Sequence, residues 1–390
     1  MVGSSEDQTN RISDALGADW QVSSASSGES ALGKMAAGDT DVLLSAESLP
    51  EMSGTELIRA VSKQHPATVR FLMYNESEKS VVAPAVSAAH QFVPLPLDPT
   101  ALDRALNQST HLRDILNNEA LTSRINAIGS LPSPPKIYNR LVAELSSENA
   151  NLQKIASLIS HDVGITAKVL QVVNSAYFGL PNQVSSVLHA TNMLGLDTVT
   201  SIVISAGAFQ QFEAPKIAGY SVESVHSHGV ALGVKSRLLA TAFGLTRKLA
   251  EDALLAGMLS NIGQVVMLAY FAREFRDAID LAKAKNIPLD RAEQESFGVS
   301  DTKLGAYLLS LWGVPDPILE AVALRGVPHQ TTSPSLNALA AVHLAYATDW
   351  DENHNVRDND RSAVDMPYVK SLGLDEQLES LRGFCSAEIV

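Results

Sequence analysis

Among 390 residues there is one cysteine, Cys385. A lone thiol excludes a disulfide framework, and the easy setting for such a chain is a reducing cytoplasm. Cations are also scarce, with 29 Lys and Arg against 43 Asp and Glu and a net charge of −14. Neutralising a phosphate backbone takes clustered Lys and Arg, and no such run stands out, so no nucleic-acid partner is expected. The opening "MVGSSEDQTN" lacks the basic and apolar regions of a signal peptide. Long apolar runs are nearly absent: only "ALLAGMLSNIGQVVMLAYFA", residues 253–272, is uncharged and long enough to cross a bilayer. Ser260, Asn261 and Gln264 interrupt it and no basic cluster flanks it, so it reads as a buried helix and no membrane is expected. There is no GxxxxGK, no GxGxxG after a strand, no GxSxG and no CxxC.

What is present divides into two textures. The length suits two or three domains, and 45% hydrophobic with 18% charged residues suits packed ones. Up to residue 98, short apolar runs alternate with helical patterns. "VLLSA" (42–46), "VRFLMY" (69–74) and "HQFVPL" (90–95) predict strands, and "GESALGKMAAG" and "GTELIRAVSKQ" predict amphipathic helices. That alternation implies βαβ units and a parallel sheet covered on both faces. Asp98-Pro99 starts a further helix, expected to run to about residue 117. Beyond it one helical pattern follows another, punctuated by "SLPSPP", "WGVPDP" and "RGVPHQ". The expected architecture is an α/β doubly wound domain over 1–117 and an all-α domain over 118–390.

The stretches "DVLLSAESLPEMSG", "HPATVRFLMYNES" and "HQFVPLPLDP" make the first half resemble a two-component receiver domain, over nearly all of residues 4–115. The resemblance implies phosphoryl transfer to an Asp at a strand end, helped by an acidic pair for Mg²⁺, a hydroxyl and a Lys. The matching positions hold Ala46 for the phosphoacceptor, Tyr74 for the hydroxyl, Leu95 for the Lys, and Ser4 and Ser5 near the acidic pair, with Glu6 and Asp7 beside them. Positioning and charge neutralisation supply nearly all of phosphoryl transfer, so a chain without these groups has no phosphoacceptor chemistry. Glu47 and Glu51 are read as solvated loop carboxylates rather than substitute acceptors. Since only three residues precede this region, the first strand is expected to be very short or displaced.

The second half resembles the HDOD domain, a relative of the HD-type metal phosphohydrolases. The residues that carry the likeness are "SLPSPPKIYNRLVAEL", "IASLISHDVGITAKVLQVVNSAYFG", "VSSVLHATNMLGLDTVTSIVIS", "LLAGMLSNIG" and "GAYLLSLWGVPDPILEAVAL", over roughly 121–350. Catalytic relatives use imidazoles and carboxylates to hold a divalent ion that acidifies water. Here Ser260 and Asn261 stand at the His-Asp position, Asp301 where a later His is expected, and Arg325-Gly326 where a His pair is expected. His228 is the one matching ligand type. Such a set implies no metal and no cofactor, and a hydrogen-bonded polar core instead. His161-Asp162 is an HD dipeptide in the wrong part of the pattern, with Asp162 placed to cap a helix. His226 and His228 diverge if that segment is helical.

Two units without their chemistry point to a non-catalytic signal-transduction regulator or scaffold, with other signalling proteins as partners. The HDOD resemblance itself implies bacterial signalling through protein–protein contacts. A homo-oligomer is open, since receiver-like faces often pair. The alternatives are an effector-binding sensor using a vacated pocket and a divergent metal-dependent phosphohydrolase. For a contact surface, "NSAYFG" (174–179) offers Asn174, Ser175, Tyr177 and Phe178 at a helix end. The same residues also suit a helix cap with two packed aromatics.

Overall fold

The computed structural model describes residues 1–16, 20–75, 85, 88–111, 119–126, 128, 141, 144, 150–174, 184–207, 217, 219–348 and 364–377. Strands β1 (Val42–Ala46), β2 (Val69–Tyr74) and β3 (Gln91–Pro94) form a parallel sheet in that order. Val42 lies opposite Val69, and Phe71 opposite Gln91. On the far side of β1, Val2 bridges both Ser45 and Ala25 in parallel, so the lateral order is Ala25, Val2, β1, β2, β3. Residues 1–3 thus supply a central strand reduced to one bridge position.

Helices α1 (Glu6–Leu16), α2 (Gly28–Ala37), α3 (Gly54–Gln64) and α4 (Pro99–His111) accompany the sheet. Ser27 caps α2, and Ser53 with Glu56 forms a capping box on α3, each satisfying amides that a helix start leaves unpaired. All six residues of β2 are buried, as expected of a parallel strand covered on both faces. The bounds of β1, β2 and α3 coincide with the apolar runs of the sequence; β3 is one residue shorter at each end. Asp98 accepts a hydrogen bond from the Thr100 amide at 2.9 Å, starting α4 as its spacing predicted. The expected continuation of α4 to residue 117 lies outside the described residues.

The remaining described elements are helical. They are α5 (Glu119–Asn126), α6 (Leu152–Ile159), α7 (Val163–Asn174), α8 (Val187–Gly207), α9 (Val222–Ala242), α10 (Arg247–Leu259) and α11 (Ile262–Tyr270). Then follow α12 (Ala272–Lys285), α13 (Leu289–Ser296), α14 (Asp301–Leu311), α15 (Asp316–Leu324), α16 (Ala338–Thr348) and α17 (Met366–Ser371). The apolar stretch Arg247–Tyr270 is broken at Ser260-Asn261, and 89% of its most apolar window is buried inside the protein. Trp312, at the end of α14, belongs to the core.

Sheet and helices meet across a buried polar joint. Asn126, fully buried at the end of α5, donates from Nδ2 to the Ala67 carbonyl at 2.8 Å and accepts at Oδ1 from the Tyr307 hydroxyl at 2.9 Å. Its carbonyl accepts from Arg70 at 2.6 Å. On α7, Gln171 donates to the carbonyls of Ala89 and His90 at 3.1 and 2.5 Å. Removing one partner from such a joint strands the other, at about 1–3 kcal/mol per buried group. Asn126→Ala is therefore expected to lower the urea midpoint by the equivalent of about 2–3 kcal/mol with an unchanged m-value.

Candidate functional site

At the end of β1, Ala46 is buried, and its amide donates to the Val2 carbonyl at 2.9 Å. The corner around it is closed by apolar atoms. A Cβ on Gly3, which has φ +75, would lie 2.9 Å from the Ala46 Cβ and 2.7 Å from Leu49 Cδ2. Gly54 admits the α3 start against this strand end, because a Cβ there would sit 2.1 Å from the Ala46 carbonyl oxygen. Tyr74 is fully buried, and Leu95 is half-buried and donates its amide to the Tyr74 carbonyl at 2.9 Å. Glu47 differs from the sequence expectation. It is not a free loop carboxylate but accepts from both the amide and the hydroxyl of Thr55, at 2.9 and 2.8 Å, pinning the first turn of α3. Glu51 is exposed.

The five positions matched to the HD centre converge in the helical part. Glycines bring their helices together. A Cβ on Gly229 would meet the Met258 carbonyl at 2.7 Å, and one on Gly257 would meet the Gly233 Cα at 2.7 Å, so α9 and α10 pack backbone to backbone. Gly263, just past the Ser260-Asn261 break, faces the first turn of α14 so closely that a Cβ would lie 1.8 Å from the Asp301 carbonyl oxygen. His228 and Asn261 meet across this junction, with the Asn261 amide nitrogen 2.7 Å from His228 Nδ1. An amide NH₂ only donates, so this ring nitrogen accepts.

Arg325, 2% exposed, occupies the middle. One guanidinium nitrogen pairs with Asp301 Oδ2 at 2.8 Å, another donates to the Ser260 carbonyl, and the carbon lies 4.8 Å from the centre of the Tyr346 ring. The Asp301 amide donates to Glu293 Oε2 at 2.7 Å, which fixes the start of α14. Chemically this is a closed ion pair with side-chain and carbonyl support. A guanidinium has no lone pair to offer a metal, and its charge opposes a second cation, so the donor set here does not fit a divalent ion. Among the described residues no three His, Cys, Asp or Glu side chains group as a metal site.

The remaining candidates do not join this centre. His161 is exposed, with Nδ1 2.6 Å from the Ser157 carbonyl, and Asp162 accepts from the Ile165 amide at 3.0 Å at the start of α7. His226 and His228 both lie on the helix α9; the His226 side chain is outside the described residues. Asn174 exchanges two hydrogen bonds with the Val184 backbone, at 2.7 and 2.6 Å, tying Val184 to the end of α7. Ser175, Tyr177, Phe178 and Cys385 lie outside the described residues.

Sequence reasoning missed His343, which supports the centre from α16. Fully buried, it has Nδ1 2.7 Å from the Arg325 carbonyl, and its Nε2 accepts from the Asp365 amide at 3.0 Å. Burial holds its pKa below the usual histidine value, against the opposing pull of the Arg325 carbonyl and Asp365. His90 in the joint is lowered well below that value by burial and then by Arg70. Above about pH 6.5 both rings are neutral folded or unfolded, and neither contributes. Below it the unfolded chain takes protons that the folded chain refuses, so stability falls until the folded pKa values are reached, by at most about 1.4 kcal/mol per pH unit for each ring. Urea midpoints measured from pH 7 to pH 5 should fall accordingly, and His343→Gln should remove part of that slope.

Comparison with known proteins places this centre in a family. The HDOD domain model matches residues 131–328, just over half of the chain. The chain belongs to the HDOD family, a helical class related to the HD phosphohydrolases. An uncharacterised protein of Treponema pallidum (strain Nichols) is 25% identical over 211 residues, which cover 54% of this chain and 40% of that protein. The match thus spans well under half of that relative's length. Among solved structures, the MmoQ response regulator of Methylococcus capsulatus is 21% identical, covering 65% of this chain and 98% of that one, with a TM-score of 0.48. A virulence factor of Campylobacter jejuni is 20% identical, covering 61% and 81%, also with a TM-score of 0.48.

Proposed function

We propose that this HDOD protein is a non-catalytic signal-transduction regulator or scaffold that acts on other signalling proteins of the cytoplasm through its surfaces. The observation that carries the reading is the buried Arg325–Asp301 pair among the positions matched to metal ligands. A metal centre draws imidazoles and carboxylates around an ion; here the protein supplies its own cation, His228 bonds to Asn261, and the Ser260 hydroxyl donates to the Ala256 carbonyl of its own helix.

A receiver-like N-terminal unit is part of the same proposal. The parallel order Ala25, Val2, β1, β2, β3 supports it, being the 2-1-3-4-5 order of flavodoxin-like sheets. In that unit Ala46 leaves no acceptor, and Glu47 is engaged with Thr55.

The test is metal content by plasma mass spectrometry on protein purified without a metal-binding tag, with intact mass measured after incubation with acetyl phosphate and Mg²⁺. The expected result is metal far below one ion per chain and no phosphoryl adduct. Near-stoichiometric manganese, iron or zinc would overturn the non-catalytic reading. A phosphoryl adduct within residues 1–111 would overturn the inert-receiver half.

A further inference from the structure

Helices α6, α9 and α10 meet the start of α8 around a cavity of about 240 Å³. For comparison, a protein cavity of roughly 150 Å³ holds a benzene. None of the five residues matched to the HD centre lines it. Its floor is set by the close approach of two helices. A Cβ on Gly233 of α9 would meet the Leu254 carbonyl oxygen at 2.6 Å and Met258 Cγ at 2.5 Å, so α10 lies hard against α9. Leu254, Leu255 and Met258 of α10 give the cavity an apolar side.

The opposite side is polar and unsatisfied. Ser185 is only 8% exposed, yet its hydroxyl has no hydrogen-bond partner among the described residues. That oxygen is not sealed in the interior, so its free side faces the cavity that Ser185 lines. Two residues on, Val187 and Leu188 begin α8, and their amides also lack a partner among the described residues. The Ser186 hydroxyl covers only the His189 amide, at 3.4 Å. A helix start with free amides favours an anion.

The two charged residues of the lining are Arg237 on α9, exposed, and Glu251 on α10, half-buried. Neither side chain has an ion-pair partner among the described residues. A simple anion would gain Arg237 and the amides but also meet the Glu251 carboxylate. A simple cation would meet the reverse. A molecule that carries both charges, with hydrocarbon between the polar and apolar sides, satisfies every group.

We propose that this cavity binds a free α-amino acid with an apolar side chain. Arg237, Ser185 and the Val187 and Leu188 amides take the carboxylate, Glu251 takes the ammonium, and Leu254, Leu255 and Met258 take the side chain. Occupancy ties the start of α8 to the α9–α10 pair, which gives the helical body a small-molecule input separate from the HD positions.

Calorimetric titration of the full chain with L-leucine, L-valine and L-methionine tests it, beside three probes that each lack one part. 4-Methylpentanoate has no ammonium, leucinamide no carboxylate and glycine no side chain. At least one of the three amino acids should bind saturably, and each probe about tenfold or more weakly than leucine. Ser185→Ala removes a hydroxyl that bonds to nothing in the free protein. Its melting temperature without ligand should therefore hold while amino-acid affinity falls about threefold or more. Arg237→Gln, at an exposed position, should lower that affinity about tenfold. No saturable binding of any of the three amino acids up to about 10 mM would overturn the site. Equal binding of 4-methylpentanoate and leucine would overturn the two-charge ligand and leave a site for anions. Unchanged affinity in both variants would overturn the placement.

Discussion

An Arg325→Met protein is expected to lose about 3–5 kcal/mol of unfolding free energy, read as a lower urea midpoint at pH 7. The pair it breaks is shielded on both sides, with Arg325 2% and Asp301 3% exposed. Methionine matches much of the arginine stem but leaves the Asp301 carboxylate buried without its cation. It also leaves the Ser260 carbonyl without its donor. Such losses come from the stranded charge rather than from the net worth of the pair, which fixes a second expectation. Adding Asp301→Leu to Arg325→Met should return a substantial part of the loss, giving a coupling energy of order 2 kcal/mol in the double-mutant cycle. Arg325→Lys should fall between, since an ammonium keeps the charge but not the fork that reaches both partners. A loss under about 1 kcal/mol for Arg325→Met would mean the pair behaves as an exposed one and does not hold the centre.

Gly263→Ala is expected to be comparably damaging for a steric reason. The new methyl would stand 1.8 Å from the Asp301 carbonyl oxygen and 2.5 Å from its carbon, and backbone atoms cannot swing aside as a flexible side-chain tip can. The crowding is mutual, because a Cβ on Gly305 would meet the Gly263 amide at 2.9 Å. Overpacking typically costs about 1–3 kcal/mol and more when backbones must part; about 3 kcal/mol or more is the expectation here. Moving α14 away from α11 also moves Asp301 from Arg325, so the variant should lose near-UV ellipticity of the buried Tyr307 and Trp312 before it unfolds. Gly33→Ala supplies the contrast: in helix α2, with nothing within 4 Å of the added methyl, it should be stabilising by about 0.5–1 kcal/mol.

How far the sequence could be followed depended on the range of the interaction. Local patterns carried β1, β2 and α3, because an apolar run bounded by Ser53-Gly54 or by the His65 turn is set by neighbours in the chain. The Asp98 start of α4 and the Asp162 start of α7 were legible for the same reason. The centre was legible as a set of positions but not as a bonding pattern. That Arg325 turns inward to Asp301 joins residues 24 apart, and no local signal distinguishes an inward arginine from a solvated one. Glu47 was misjudged because its partner Thr55 lies across a loop, on the following helix. His343 was missed because a lone histidine in "AAVHLAYA" carries no motif, and only the fold places it between Arg325 and Asp365.

The joint at Asn126 bears on how such a chain can be inherited. Its amide reads the sheet through Ala67 on one side and α14 through Tyr307 on the other, while Arg70 and Gln171 cross the same seam in both directions. The two halves are therefore fitted to each other rather than tethered. A chimaera that grafts this sheet onto another helical body would leave Arg70 and His90 against a surface not shaped to receive them. Shuffling at this seam succeeds only when both faces change together, which ties the fate of the sheet to that of the helices it rests on.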